Sequence, residues 1–183
     1  MEKKVYCVNI AGYNAELPIL PISPTLDIAF FNLHGNQALT EHCGKELAKL
    51  LTDCDVIITA ESKGLQLSHV IARELNHNLY AVARKTKKLY MQDGIEILIE
   101  ASITTGTEQR LYLSKHDVEL IKGKKVGIVD DVVSTGASLK GLEDLVNLAG
   151  GIIHKKAFVL AEAEAADRDD VIYLATIPVF PHP

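Results

Sequence analysis

Apolar residues recur along this chain at two spacings, and the alternation between them outlines the fold. Residues 4–10 alternate apolar with polar and predict a strand, and residues 26–32 predict a second. Between them Pro18, Pro21 and Pro24 exclude a regular helix, so that stretch is expected as an extended connection. Leu39, Cys43, Leu47, Leu50 and Leu51 fall on one stripe, which predicts an amphipathic helix over 37–51 with Asn36 as its N-cap. Residues 55–60 are a short apolar strand, and Leu67, Val70, Ile71 and Leu75 mark the next helix. A strand over 79–83 ends at Arg84. Residues 95–101 and 109–113 form an expected antiparallel pair. Strand 125–129, helix 137–149 closed by Gly150-Gly151, and strands 152–160 and 171–177 complete the pattern.

Strands alternating with helices predict an α/β fold: a mostly parallel, twisted sheet with helices on both faces. In such sheets ligands bind beyond the C-terminal strand ends. Three strands place polar residues there. They are Glu61-Ser62-Lys63-Gly64, Arg84-Lys85, and the stretch from Asp130 to Ser138.

The third stretch carries the most chemistry. Val126-Gly127-Ile128-Val129 leads into Asp130 and Asp131, and Val132-Val133-Ser134-Thr135-Gly136-Ala137-Ser138 leads from them into a helix. The loop offers free backbone N–H groups, a helix N-terminus and the hydroxyls of Ser134, Thr135 and Ser138, a combination suited to a phosphate. Gly136 lets the backbone approach closely. Two acids would be misplaced if phosphate were the sole ligand. They suit ribose hydroxyls, or a metal riding on a polyphosphate.

Bulk properties narrow the partners. The 183 residues fit one domain, and 48% hydrophobic content supports a substantial core. A net charge of −5 argues against nucleic acid and against an acidic membrane surface, so any attraction for phosphate must be local. Cys7, Cys43 and Cys54 lack metal-ligand spacing and read as reduced thiols of a cytoplasmic protein. Met1-Glu2-Lys3-Lys4 leads directly into the first strand without a long apolar signal, and no apolar run reaches membrane-spanning length. The seven histidines lack zinc spacing, and no Walker-type loop is present. Asp167-Arg168-Asp169-Asp170 reads as a solvated turn.

The run from Val126 to Ser138 resembles the phosphoribosyl-pyrophosphate signature of the type I phosphoribosyltransferases. That signature is an apolar strand, two acids, two apolar or small residues, then Ser/Ala-Thr-Gly-x-Ser/Thr. The likeness extends from about the first sheet helix to residue 160, and it is to the adenine phosphoribosyltransferase-like, purine group. It implies a single phosphoribosyltransferase domain over 1–183, with a hood-like segment at 1–36 and a lid and hairpin at 86–114. It implies that Val133, Ser134, Thr135, Gly136, Ala137 and Ser138 hold the donor's 5′-phosphate. Asp130 and Asp131 would meet the ribose 2′ and 3′ hydroxyls, stabilise charge growing on the ring, and face Mg²⁺ carried by the donor. Glu61, Ser62, Lys63 and Gly64 resemble the pyrophosphate loop, with an implied cis bond at Glu61–Ser62. Arg84 and Lys85 resemble the Arg-Lys of purine members, which grips the leaving pyrophosphate. Lys87, Lys88 and Tyr90 would begin a mobile lid that excludes water.

The acceptor is where the chain departs from the pattern. Ser102-Ile103-Thr104-Thr105-Gly106 stands where adenine enzymes usually have Tyr-x-Leu-Glu-Tyr-Gly, so Thr104 occupies a catalytic place without a carboxylate. Residues 5–35 also lack the usual adenine-enzyme start. The resemblance implies transfer of phosphoribosyl from phosphoribosyl pyrophosphate to a purine, with adenine favoured. Two alternatives stay open: a xanthine or other oxopurine enzyme, and a non-catalytic sensor of the donor or a nucleotide. Family members are commonly homodimers, which the resemblance extends to this chain.

Overall fold

The structure, a computed structural model, describes residues 4–99 and 109–182. In chain order it has β1 (Val5–Ile10), β2 (Tyr13–Ser23), β3 (Leu26–Ala29), α1 (Gln37–Leu50), β4 (Val56–Ala60), α2 (Leu65–Glu74) and β5 (Ala81–Ala83). There follow β6 (Ile95–Ile99), β7 (Gln109–Leu113), α3 (Lys115–Ile121), β8 (Lys125–Val133), α4 (Ala137–Leu148), β9 (Ile152–Glu162), β10 (Ile172–Ile177) and β11 (Val179–Pro181). A 3-10 turn at Ala163–Asp167 joins β9 to β10.

The central sheet has strand order β10-β9-β8-β4-β5, and every pairing in it is parallel. All five residues of β4 are buried, as a strand covered on both faces requires. Its side chains divide between two cores with the period of two that a strand imposes. Ile57 joins Val129 in a core with Leu39, Cys43 and Leu47 of α1 and Leu67 and Ile71 of α2. Val56 and Ile58 join Val126 and Ile128 in a second core with Leu139, Leu142, Leu145 and Val146 of α4. The expected α/β layering is therefore present, helices covering both faces.

Beyond the sheet, β1, β2, β3 and β11 form an antiparallel hood in that order. The expected connection through Pro18 and Pro21 is instead strand β2. The prolines are tolerated because neither position faces a full ladder. The odd-numbered groups of this segment point toward β1, where Ile19 N–H donates to Lys4 C=O at 2.9 Å, and Pro21 lies past that last bond. Pro18 sits where β3 has already ended, its carbonyl accepting from Phe30 N–H at 2.8 Å. The C-terminal β11 pairs with β3, a long-range contact that local pattern does not encode. α3, also unexpected, is capped by Ser114, whose Oγ accepts from Asp117 N–H at 3.2 Å. The Asn36 cap is as expected, accepting from Leu39 N–H at 3.2 Å.

The β6–β7 hairpin is antiparallel, as read from the sequence. It is fixed in two ways. Arg84 and Tyr112 exchange both backbone hydrogen bonds at 2.9 Å, joining the hairpin to the end of β5. Gly141 on α4 leaves room beneath it, since a Cβ there would lie 3.0 Å from Ile99 and 3.2 Å from Leu111. A similar close approach sets α1 on α2, where a Cβ at Gly44 would lie 2.5 Å from Val70 Cγ1. Gly44→Val therefore overpacks that crossing and should destabilise the protein by about 1–3 kcal/mol. Chemical denaturation checks this. An unchanged midpoint would mean that α1 and α2 are free to separate.

Candidate functional site

At the C-terminal edge of the sheet, the turn after β4, the end of β5 and the end of β8 meet over one cavity of about 510 Å³. Its walls include Glu61, Ser62, Lys63, Lys85, Asp130, Asp131, Val132 and Ser138, all expected from the sequence. Ala60, Ile99, Gln109, Arg110 and Leu111 complete the lining and were not expected. The last four come from the hairpin, and only its docking at Arg84 and on α4 makes them part of the site. The size suits a small phosphorylated metabolite.

A second hollow, of about 100 Å³, adjoins the first through Asp130, Val132 and Ser138. It is lined by Val133, Ser134, Thr135, Gly136, Ala137 and Ser138, the whole expected phosphate loop. Gly136 adopts φ +83, a left-handed conformation that disfavours other residues. It leads into α4, so the first backbone N–H groups of that helix border the hollow, as an anion requires.

β8 runs longer than expected and carries both acids within its last residues. Asp130 Oδ1 accepts from Asp131 N–H at 2.9 Å, and Asp131 Oδ1 accepts from Val132 N–H at 2.9 Å. Asp131 Oδ2 is buried without a hydrogen bond, although Lys63 Nζ stands 3.6 Å away. Such an oxygen is complementary to a hydroxyl donor. Burial, and secondarily the charge of Asp131, pushes the Asp130 carboxyl well above the usual carboxylate range.

The Glu61–Ser62 peptide bond is cis, as the resemblance implied. Lys63 lies 5.5 Å from the centroid of Phe30, which brings the hood to the rim of the cleft. Glu61 does not simply face the cavity. Its Oε1 accepts from Lys85 N–H at 2.6 Å, and its Oε2 lies 2.7 Å from Arg84 Nε in an ion pair. Glu61 thus fastens the ends of β4 and β5 together. Gly64 packs behind the loop, where a Cβ would meet Thr59 Oγ1 at 2.0 Å and Asp130 Oδ1 at 3.0 Å.

Lys88 and Tyr90 stand away from the cavity lining, and Leu89 and Tyr90 are 90% and 70% exposed. Met91 is buried and anchors the far end of this segment. Thr104, with the rest of the 102–106 segment, lies outside the described residues. Among the described residues no group of three or more His, Cys, Asp or Glu is placed to hold a metal ion. Cys7, Cys43 and Cys54 are all free, and burial pushes the Cys43 and Cys54 thiols up to about 12 and about 11. No described helix is long and apolar enough to cross a membrane. The Asp167–Asp170 stretch is not an isolated solvated turn, because Arg168 reaches across to Gly136.

Comparison with known proteins bears on this arrangement. The family profile described as a phosphoribosyl transferase domain matches residues 32–176. A xanthine phosphoribosyltransferase from an Exiguobacterium strain is 32% identical over 151 residues, covering 76% of this chain and 75% of that protein. An adenine phosphoribosyltransferase from Methanococcus maripaludis is 30% identical over 131 residues, covering 70% of this chain and 72% of that protein. The crystal structure of an adenine phosphoribosyltransferase from Thermoanaerobacter pseudethanolicus superposes with a TM-score of 0.72 at 24% identity, covering 87% of this chain and 95% of that one.

The raised Asp130 proton affinity has a consequence for stability. A carboxyl that holds its proton more tightly when folded makes the protein lose stability as pH rises from its unfolded to its folded pKa. Asp130→Asn keeps the Oδ1 acceptor and removes the titration. The variant should melt above the wild type at pH 8, with the gap closing toward pH 4. A gap of the opposite sign, or one independent of pH, would refute the assignment.

Proposed function

The chain belongs to the phosphoribosyl transferase family, and we propose that it transfers the 5-phosphoribosyl group of phosphoribosyl pyrophosphate to a purine base. What supports this reading is that the Val133–Ser138 loop, the Asp130–Asp131 pair and the Ser62–Lys63 turn border two adjoining cavities. Each part fits one portion of the donor. The Val133–Ser138 loop suits the 5′-phosphate. Asp131, with its unsatisfied Oδ2, and Asp130 suit the ribose hydroxyls. Ser62, Lys63, Gly64, Arg84 and Lys85 suit the pyrophosphate, and Lys88 and Tyr90 would close over it as part of a lid.

A ring nitrogen of the base attacks the anomeric carbon. The new C–N bond forms as the C–O bond to pyrophosphate breaks, its electron pair leaves with pyrophosphate, and the nitrogen's proton passes to the departing pyrophosphate. Positive charge grows on the ribose ring in between, and the acid pair at its hydroxyls stabilises that charge. Holding both reactants in the cleft supplies a large part of the acceleration. The carboxylates of Asp130 and Asp131 suit a Mg²⁺ ion carried on donor oxygens, beside which they would stand. When bound, the ion offsets charge on the leaving pyrophosphate.

Adenine is the favoured acceptor. Xanthine is the second reading, favoured by the likeness to the Exiguobacterium protein. A cytoplasmic homodimer completes the proposal, supported by the family. The test is to mix the protein, Mg²⁺ and donor with adenine, xanthine, hypoxanthine, guanine and uracil in turn and follow pyrophosphate. Release with adenine is expected, release with xanthine alone would move the assignment to that base, and no release with any base would sink the proposal. Asp131→Asn should lower kcat roughly 10²–10³-fold while the protein stays folded. Undiminished turnover would remove the acid pair from the chemistry.

A further inference from the structure

The loop assigned to the 5′-phosphate contains no cation, since it reads Val133-Ser134-Thr135-Gly136-Ala137-Ser138. Lys63 and Lys85 line the larger cavity, near the acid pair. A cation approaches the loop from a different part of the chain. A Cβ built on Gly136 would lie 2.7 Å from Arg168 Nη1, so the guanidinium rests directly against the loop backbone. Arg168 follows the 3-10 turn between β9 and β10.

The guanidinium is held in a fixed plane. Its Nε and Nη2 donate to the two oxygens of Asp170 at 2.9 Å and 2.8 Å, a fork-to-fork pairing. Asp170 is held in turn by Lys156, which also donates to Glu143 Oε1 on α4 at 2.8 Å. Both cations lower the proton affinity of Asp170, with Arg168 the larger influence. The charges of Arg168, Lys156, Asp170 and Glu143 cancel in sum, yet their arrangement is polar. The Asp170 carboxylate engages one edge of the guanidinium, and Nη1, at the other edge, meets the loop.

We propose that Arg168 supplies the positive charge that the 5′-phosphate loop lacks, acting with the loop's backbone N–H groups on the phosphate of the donor and of the nucleotide product. The inference rests on the phosphoribosyl reading above. Asp170 is then a positioning residue that keeps the guanidinium plane against Gly136. A planar fork does this better than an ammonium, so lysine would be a partial substitute.

Titration calorimetry on the full chain with Mg²⁺ tests the idea, using ribose 5-phosphate and pyrophosphate as separate probes. Arg168→Gln should weaken ribose 5-phosphate about tenfold or more and leave pyrophosphate affinity unchanged. Arg168→Lys should recover part of the loss, and Asp170→Asn should weaken ribose 5-phosphate by a smaller factor. In turnover, Arg168→Gln should raise KM for the donor and leave KM for the base unchanged. Equal ribose 5-phosphate affinity in wild type and Arg168→Gln would overturn the inference and leave the phosphoribosyl reading standing. Equal weakening of both probes would also overturn it, because a purely structural role has that signature. Binding of neither probe by the wild type would instead overturn the phosphoribosyl reading, and this inference with it.

Discussion

The pair of carboxylates at the end of β8 is the constraint around which the edge of the sheet is organised. Neighbouring acids in a buried strand repel one another and lose hydration, so they destabilise the folded state unless partners intervene. The chain provides partners incompletely. One oxygen of each accepts a backbone N–H, while Asp131 Oδ2 has only the distant ammonium of Lys63. Asp130 answers by holding its proton more tightly. A site that left its acids fully satisfied would have little to offer a polyhydroxylated ligand. On the proposed reading, stability and ligand affinity are set against each other at the same two residues.

Around that pair, the other strand ends are fastened to one another rather than left as independent loops. Glu61 ties β4 to β5 through Lys85 and Arg84. Arg84 in turn carries the backbone bridge to Tyr112, so the hairpin follows β5. Gly64 and Gly141 allow two close approaches, one beneath Asp130 and one beneath the hairpin. The cleft is therefore a product of backbone geometry held at a few positions. Cavity walls such as Gln109 and Arg110 belong to it only through that chain of attachments.

This explains what could be read from the amino-acid order and what could not. The buried strands of the central sheet and the helices α1, α2 and α4 have strong local periodicity, and the Val133–Ser138 loop and the two acids lie in one contiguous run. Those features are local, so the sequence exposes them. The hood was misjudged at β2, because Pro18 and Pro21 forbid a strand only where a ladder bond is demanded, and pairing partners decide that. β11 and the hairpin's share of the cleft depend on contacts between residues far apart in sequence. Arg168 was read as part of a solvated turn, since nothing in the order of residues places it against Gly136.

The local charge pattern resolves an apparent conflict with the net charge of −5. On the proposed reading, an anionic chain must still attract a ligand with several phosphate charges. Three cations around this edge of the sheet are held by acids: Lys63 by Asp131, Arg84 by Glu61, and Arg168 by Asp170. Such pairs spare the protein from concentrating unpaired positive charge at one edge. They also keep long side chains ordered before the ligand arrives, which reduces the entropy lost on binding. The three pairings differ in tightness. Lys63 stands 3.6 Å from its partner, Arg84 2.7 Å, and Arg168 makes two hydrogen bonds to Asp170. The looser the pairing, the more readily a cation turns to an incoming phosphate. On the proposed reading, Lys63 is accordingly the group best placed to exchange Asp131 for the leaving pyrophosphate, which would free Oδ2 of that acid for the ribose at the moment the ring becomes positive while Oδ1 keeps its bond from Val132 N–H.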